Sequence, residues 1–332
     1  MNKFIGTVAL SLVITGVAVA ASPSSLNFLR SRIEERYMPA ARVPFMPRHP
    51  VDTVLSVEQD ENDLNPMAFG AATTTVTTSA AKLLTFHGGK VLAGTTQVRL
   101  MFAGPSWVNA TFAGTKITGL ARFFGSYSNS AYAKTAGEYT GSNGKVSPLV
   151  NYQGYTAPSS KSVSIDGRNV MSVATAACTE YRSGTFKADT AGNQFIVVYS
   201  DMPRPSNAGY CGYHTAASCS GQTVQLAFLW NLDGDASCSA QDTTTGNAQG
   251  LAALVNVTAH EVQETLSDPL LNAWYDSTNA ENGDKCAWSY AHTSVLFGTS
   301  RFKVQTQWSN TAYSLNKGYK NLFGEPGCID GT

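Results

Sequence analysis

Leu251-Ala252-Ala253-Leu254-Val255-Asn256-Val257-Thr258-Ala259-His260-Glu261-Val262-Gln263-Glu264-Thr265-Leu266-Ser267 organises the reading of this chain, and Asp268-Pro269 follows it. Leu251, Val255, Val262 and Leu266 recur at a helical spacing, and the proline stops the helix. His260 and Glu264 are four residues apart, so on a helix they share one face, a turn apart. Glu261 sits beside His260 and points to a neighbouring face. Two ligands at i and i+4, with a Glu next to the first as general base, is the pattern used by zinc hydrolases. Glu264 stands where that pattern has its second His. The same spacing also fits a solvated His–Glu pair at the end of an amphipathic helix, so both readings stay open here.

A cation on His260 and Glu264 needs a further protein ligand. Downstream lie Trp274-Tyr275-Asp276 and then Glu281-Asn282-Gly283-Asp284-Lys285-Cys286. Glu281 and Asp284 are the candidate third ligands, with Asp276 as a fallback. One imidazole and two carboxylates balance a divalent ion. The imidazole suits zinc, while the carboxylates leave calcium, magnesium or manganese open. Glu261 is the candidate base, taking a proton from water while the metal polarises a carbonyl. His214, in Gly209-Tyr210-Cys211-Gly212-Tyr213-His214, is a second catalytic candidate. It could donate a hydrogen bond into a cleft, from a segment whose glycines and cysteine let the backbone turn tightly. His87, in Phe86-His87-Gly88-Gly89, is a weaker one; His49 and His292 have no informative context.

Upstream of the helix, Gln97 to Phe102, Ser147 to Tyr152, Gln194 to Tyr199 and Val224 to Trp230 read as strands, and Thr115 to Tyr127 as a helix. The predicted class is α+β, a mixed-sheet α/β domain, with one late helix that carries the motif. The domain is predicted to span 82–332. Residues 1–20 read as a signal peptide: Lys3, an uncharged run from Phe4, then Ala18-Val19-Ala20 for cleavage. Residues 21–81 read as a pro-segment or flexible arm. It has an amphipathic stretch at Leu26 to Met38, prolines from Pro39 to Pro50, an acidic cluster at Glu58 to Asp63 and a Thr/Ser/Ala run at Thr73 to Ala81. The arginines between Leu29 and Arg36 fit either a processing signal or a charged helix face.

The six cysteines all lie beyond the signal, and in an oxidising compartment they predict three disulfides. Lys and Arg together number 23, as do Asp and Glu, and charged residues are only 14% of the chain. With no basic stripe, nucleic acid and anionic membranes are poor partners. The expected protein is a secreted, extracellular monomer that meets a matrix or cell-wall component, peptide or polysaccharide. Of two glycosylation sequons, Asn109-Ala110-Thr111 is usable, whereas Asn256-Val257-Thr258 falls inside the predicted helix. No Gly-x-Ser-x-Gly or nucleotide-type glycine loop is present.

Several segments, taken in order, resemble the EXORDIUM family, also called the phosphate-induced protein family. They are His87-Gly88-Gly89-Lys90-Val91-Leu92 before the strand at Val98 to Phe102, Cys211-Gly212-Tyr213-His214, and the strand ending at Trp230. The late helix follows, running into Asp268-Pro269, Trp274-Tyr275 and Glu281 to Cys286. The resemblance covers about 85 to 328. It implies a secreted protein of the cell wall or apoplast, tied in plants to growth and nutrient response. This chain departs from the plant pattern in keeping His260-Glu261 with Glu264 and in its long arm. The order of elements also resembles a single zincin-like peptidase domain, braced here by disulfides.

Overall fold

The computed structural model describes residues 83–183 and 192–332, together with the backbone of Leu55–Ser56. The signal segment, the remainder of the 21–81 arm and His49 lie outside the described residues. The main sheet has six strands, the two-residue Leu55–Ser56 and five longer ones: β1 (Thr96–Ala103), β2 (Val150–Tyr155), β3 (Gln194–Pro203), β4 (Gly212–Cys219) and β5 (Gln222–Asn231). Their spatial order is β2-β1-β3-β5-β4, and Leu55–Ser56 lies outermost, beside β4. Neighbours run parallel from β2 through β5, and β4 runs antiparallel to β5. This is the mixed sheet that the strand pattern predicts.

The central strands are apolar on both faces, as a doubly covered parallel sheet requires. Phe195, Ile196, Val197, Val198 and Tyr199 of β3 are all at most 1% exposed. β4 corrects the sequence reading, in which Gly212 to His214 belong to a tight turn. The turn lies further on, at Ser220 (φ 53°) and Gly221 (φ 77°), where both residues adopt the left-handed conformation of a two-residue hairpin. It sets β4 against β5 in the register Gly212↔Leu229 and His214↔Ala227. Alternation then decides which face each β4 side chain meets.

Three helices cover the sheet: α1 (Lys116–Tyr127), α2 (Val170–Arg182) and α3 (Gln249–Ser267). Gly212 of β4 faces α3, as a Cβ there would lie 2.8 Å from Val257 Cγ1. His214 shares that face. Cys219 points the other way and is bonded to Cys178 of α2. The sheet therefore separates α2 from α3. α2 has no counterpart in the sequence reading, because its buried residues are mainly small: Val173, Ala174, Ala177 and Cys178.

α3 is not the amphipathic helix that the periodicity suggests. Every residue from Gly250 to Ser267 is buried. Several of its polar side chains are paired. Thr258 Oγ1 bonds Tyr199 Oη at 2.9 Å, and Asn256 Oδ1 accepts from Gln305 N at 2.8 Å. Gln263 Nε2 donates to Tyr127 Oη and to Tyr132 O, both at 2.9 Å. The sheet lies on one side of α3 and the segment after residue 280 on another. Asp268 caps its end, accepting from Asn272 N at 2.6 Å and Ala273 N at 2.7 Å. The sequon residue Asn256 is 0% exposed, whereas Asn109 is exposed.

The cysteines form three disulfides, Cys178–Cys219, Cys211–Cys238 and Cys286–Cys328, and none is left free. Such bonds suit an oxidising environment. Among the described residues no helix is long and apolar enough to cross a membrane. The Cys286–Cys328 bond closes a span of 42 residues and ties the 281–286 turn to the two-stranded pair Gln307–Trp308 and Cys328–Ile329. Replacing both cysteines by Ser is expected to cost about 2–4 kcal/mol. Denaturant unfolding of the variant beside the parent measures it.

Candidate metal centre

Three chain segments converge at the C-terminal half of α3. The helix supplies His260, Glu261 and Glu264, strand β4 supplies His214, and the 281–286 turn supplies Glu281 and Asp284. The i, i+4 geometry is realised: His260 Nε2 is 3.0 Å from Glu264 Oε1. Neither side chain is solvated, at 1% and 0% exposure, so this is not the surface pair left open by the sequence.

The turn brings in its two acids differently. Asp284 Oδ1 lies 3.5 Å from His260 Nε2, and Asp284 N donates to Glu264 Oε1 at 3.1 Å. Glu281 reaches the other histidine, with Oε2 3.1 Å from His214 Nε2. Glu281 N donates to Asp284 Oδ2 at 2.9 Å, which fixes the spacing of the two acids. Asp276 is engaged elsewhere: Oδ2 pairs with Lys285 Nζ at 2.9 Å, and Oδ1 accepts from Thr278 N and Ala280 N. The fallback ligand is thus a turn-forming residue.

Two contacts outside the motif hold the centre. The Gln305 carboxamide meets His260 Nδ1, which turns Nε2 toward Glu264 and Asp284. Sequence gave no signal for Gln305, since it lies 45 positions from its partner. Gly283 supplies close approach. A Cβ there would lie 2.9 Å from Glu264 Oε1 and 2.9 Å from His260 Nδ1. Gly283→Ala removes no polar atom, yet it is expected to weaken cation binding about 10–100-fold, the range seen when supporting contacts of a metal site are disturbed. Titration with zinc, followed by calorimetry, measures this. His87 lies apart from the centre, stacked on Tyr275 with ring centroids 3.5 Å apart, and His292 pairs with Asp330 at 2.8 Å.

Electrostatics divides the two histidines. Burial pulls the His214 imidazole below its ordinary range, against the opposing pull of Glu264, Asp268 and Asp284. A neutral imidazole is the form that binds metals. Burial also disfavours charge on His260, but the carboxylates of Glu264, Asp284 and Glu261 outweigh it and hold His260 well above the usual range. Burial drives the Glu261 carboxyl well above its ordinary value. His260 opposes that shift, and Glu264, Asp284 and Glu281 add to it. Glu261 is 3% exposed and faces β4, where a Cβ on Gly212 would sit 3.2 Å from its Oε1.

The donors fit a cation. Glu264 Oε2 is fully buried without a hydrogen-bond partner, and it lies 3.7 Å from His214 Nε2. A buried carboxylate oxygen left this way is costly unless a cation meets it. Two sets of side chains, His214–Glu264–Glu281 and His260–Glu261–Glu264, each place three potential ligand atoms within 4.8 Å of one another. These buried His and Glu groups could hold a metal ion. No protein-family model, no curated protein and no solved structure matches the chain.

Proposed function

We propose that this chain is a secreted, EXORDIUM-like hydrolase of zincin-like build, which uses a divalent cation, zinc first among the candidates, to cleave an amide or ester bond of an extracellular matrix or cell-wall component. The observation that carries the reading is the convergence of His260 Nε2, Glu264 Oε1 and Asp284 Oδ1, at 3.0 and 3.5 Å, beside a buried Glu261. His260, Glu264 and Asp284 would hold the cation. When bound, it would supply a Lewis acid that polarises a carbonyl and acidifies water. Glu261 carries the proton: its raised affinity for protons lets one carboxyl accept a proton from water and return it to the leaving group. Gly212, lacking a side chain, lets β4 pack closely against that carboxyl, since a Cβ there would lie 2.8 Å from Val257 Cγ1 and 3.2 Å from Glu261 Oε1. Secretion is supported by the three disulfides and by the residues at the start of the chain.

The test is elemental analysis of the purified protein beside a His260→Ala, Glu264→Ala double variant. Zinc bound by the parent and lost from a variant with an unchanged circular-dichroism spectrum is the expected result. A parent that binds no cation after zinc is supplied would end the reading.

A second reading rests on a different surface. Phe86 is 43% exposed and its ring lies 5.5 Å from that of Trp274, next to the His87–Tyr275 stack. Such an aromatic strip suits the apolar faces of sugar rings, as in a non-catalytic wall module linked to growth or nutrient response. Co-sedimentation with insoluble wall polysaccharide, lost in Phe86→Ala, supports this reading; no retention by the parent removes it.

A further inference from the structure

Resting on the cation reading above, we infer that the centre holds two cations, the second one built on His214 and Glu281 and sharing Glu264 with the first. A tetrahedral ion with N and O ligands at about 2.0–2.2 Å has donor–donor edges of roughly 3.3–3.6 Å. Two separate groups of donors stand near such edges. In one, His260 Nε2 lies 3.0 Å from Glu264 Oε1 and 3.5 Å from Asp284 Oδ1. In the other, His214 Nε2 lies 3.1 Å from Glu281 Oε2 and 3.7 Å from Glu264 Oε2. The groups meet at the two oxygens of one carboxylate. Glu264 Oε1 faces His260 and Glu264 Oε2 faces His214, which is the disposition of a carboxylate that bridges two ions about 3.5–4 Å apart.

Charge points the same way. Glu261, Glu264, Glu281 and Asp284 bring four carboxyls to one buried place, against two imidazoles. The carboxylates of Glu264, Glu281 and Asp284 alone exceed the charge of one divalent ion in a low-dielectric setting, and a second ion offsets the excess. The orphaned Glu264 Oε2 lies on the His214 side, where a cation at His260 alone does not satisfy it. Placement on β4 also explains the replaced motif histidine. With Glu at the i+4 position, each ion receives one imidazole and one oxygen of the shared carboxylate. A His there could not bridge in this way.

The experiment uses the full secreted chain, stripped with a chelator and reloaded with zinc alone. It combines elemental analysis with anomalous diffraction at the zinc edge. Two zinc ions per chain are expected, with two peaks about 3.5–4 Å apart. His214→Ala should fall to one, and so should the near-isosteric Glu281→Gln, which keeps the test available if His214→Ala does not fold. One zinc in the parent, retained in both variants, would overturn the second site and leave the first. A single zinc lost equally from His214→Ala and His260→Ala would overturn it in favour of one shared ion. Absence of zinc from the parent would overturn both this inference and the reading beneath it.

Discussion

Glu261→Gln is expected to lower turnover of any amide or ester substrate by about 10²–10⁴-fold, the usual range for removing a general base. The zinc content should not change. Glu261 lies on a neighbouring helix face, yet its carboxyl is within 4.8 Å of the His260 and Glu264 ligand atoms, so the zinc analysis decides between base and ligand. Its carboxyl lies toward Gly212 of β4, while His260 Nε2 meets Glu264 and Asp284. Gln keeps the shape of the side chain, and at a buried position it removes a costly ionisable group, so folding should be preserved. Rate measurements on a substrate found by screening, with zinc analysis of the same sample, decide the point. Loss of zinc together with activity would make Glu261 a ligand. Unchanged turnover would remove it from the chemistry.

Chelation should produce the largest change in stability. With several carboxyls buried around α3, a cation held by the folded chain would find no assembled site in the unfolded one. The stabilisation follows the ratio of free cation to Kd, and reaches about 4 kcal/mol at a thousandfold excess. For a domain of this size that corresponds to roughly 8–16 °C in Tm. Thermal unfolding of the stripped protein, then of the protein reloaded with zinc, magnesium or calcium, gives both the magnitude and the preferred ion. The sign is fixed, since binding to the folded state only raises Tm. Equal Tm values with and without each ion would mean that the buried acids are satisfied by protons alone.

The parts of the fold legible in sequence were those with a strong period or composition. The apolar runs at Gln97 to Phe102 and Gln194 to Tyr199 sit inside β1 and β3. Thr115 to Tyr127 sits over α1, and Leu251 to Ser267 inside α3. What escaped was made of small residues. β4, Gly-Tyr-His-Thr-Ala-Ala-Ser-Cys, has little β-propensity of its own, and its strand form comes from pairing with β5. α2 was hidden by its alanines. The site shows the same division. Residues close in sequence to the motif were readable as candidates from spacing. The partition of Glu281 to His214 and Asp284 to His260 depends on how the 281–286 turn folds back, and Gln305 arrives from a segment with no local signal. Asp276, the fallback ligand in sequence, is claimed by Lys285.

The disulfides also bear on the order of assembly. Cys211, just before β4, and Cys219, at its end, flank His214 and are bonded to Cys238 and Cys178, and Cys286 sits two residues after Asp284, bonded to Cys328. Each segment that brings an outlying ligand to α3 is therefore locked by an oxidation event. In a reduced chain these segments would rest on the β4–β5 pairing and on the hydrogen bonds of the 281–286 turn alone. If the centre takes an ion, loading would then follow the pairing of these thiols.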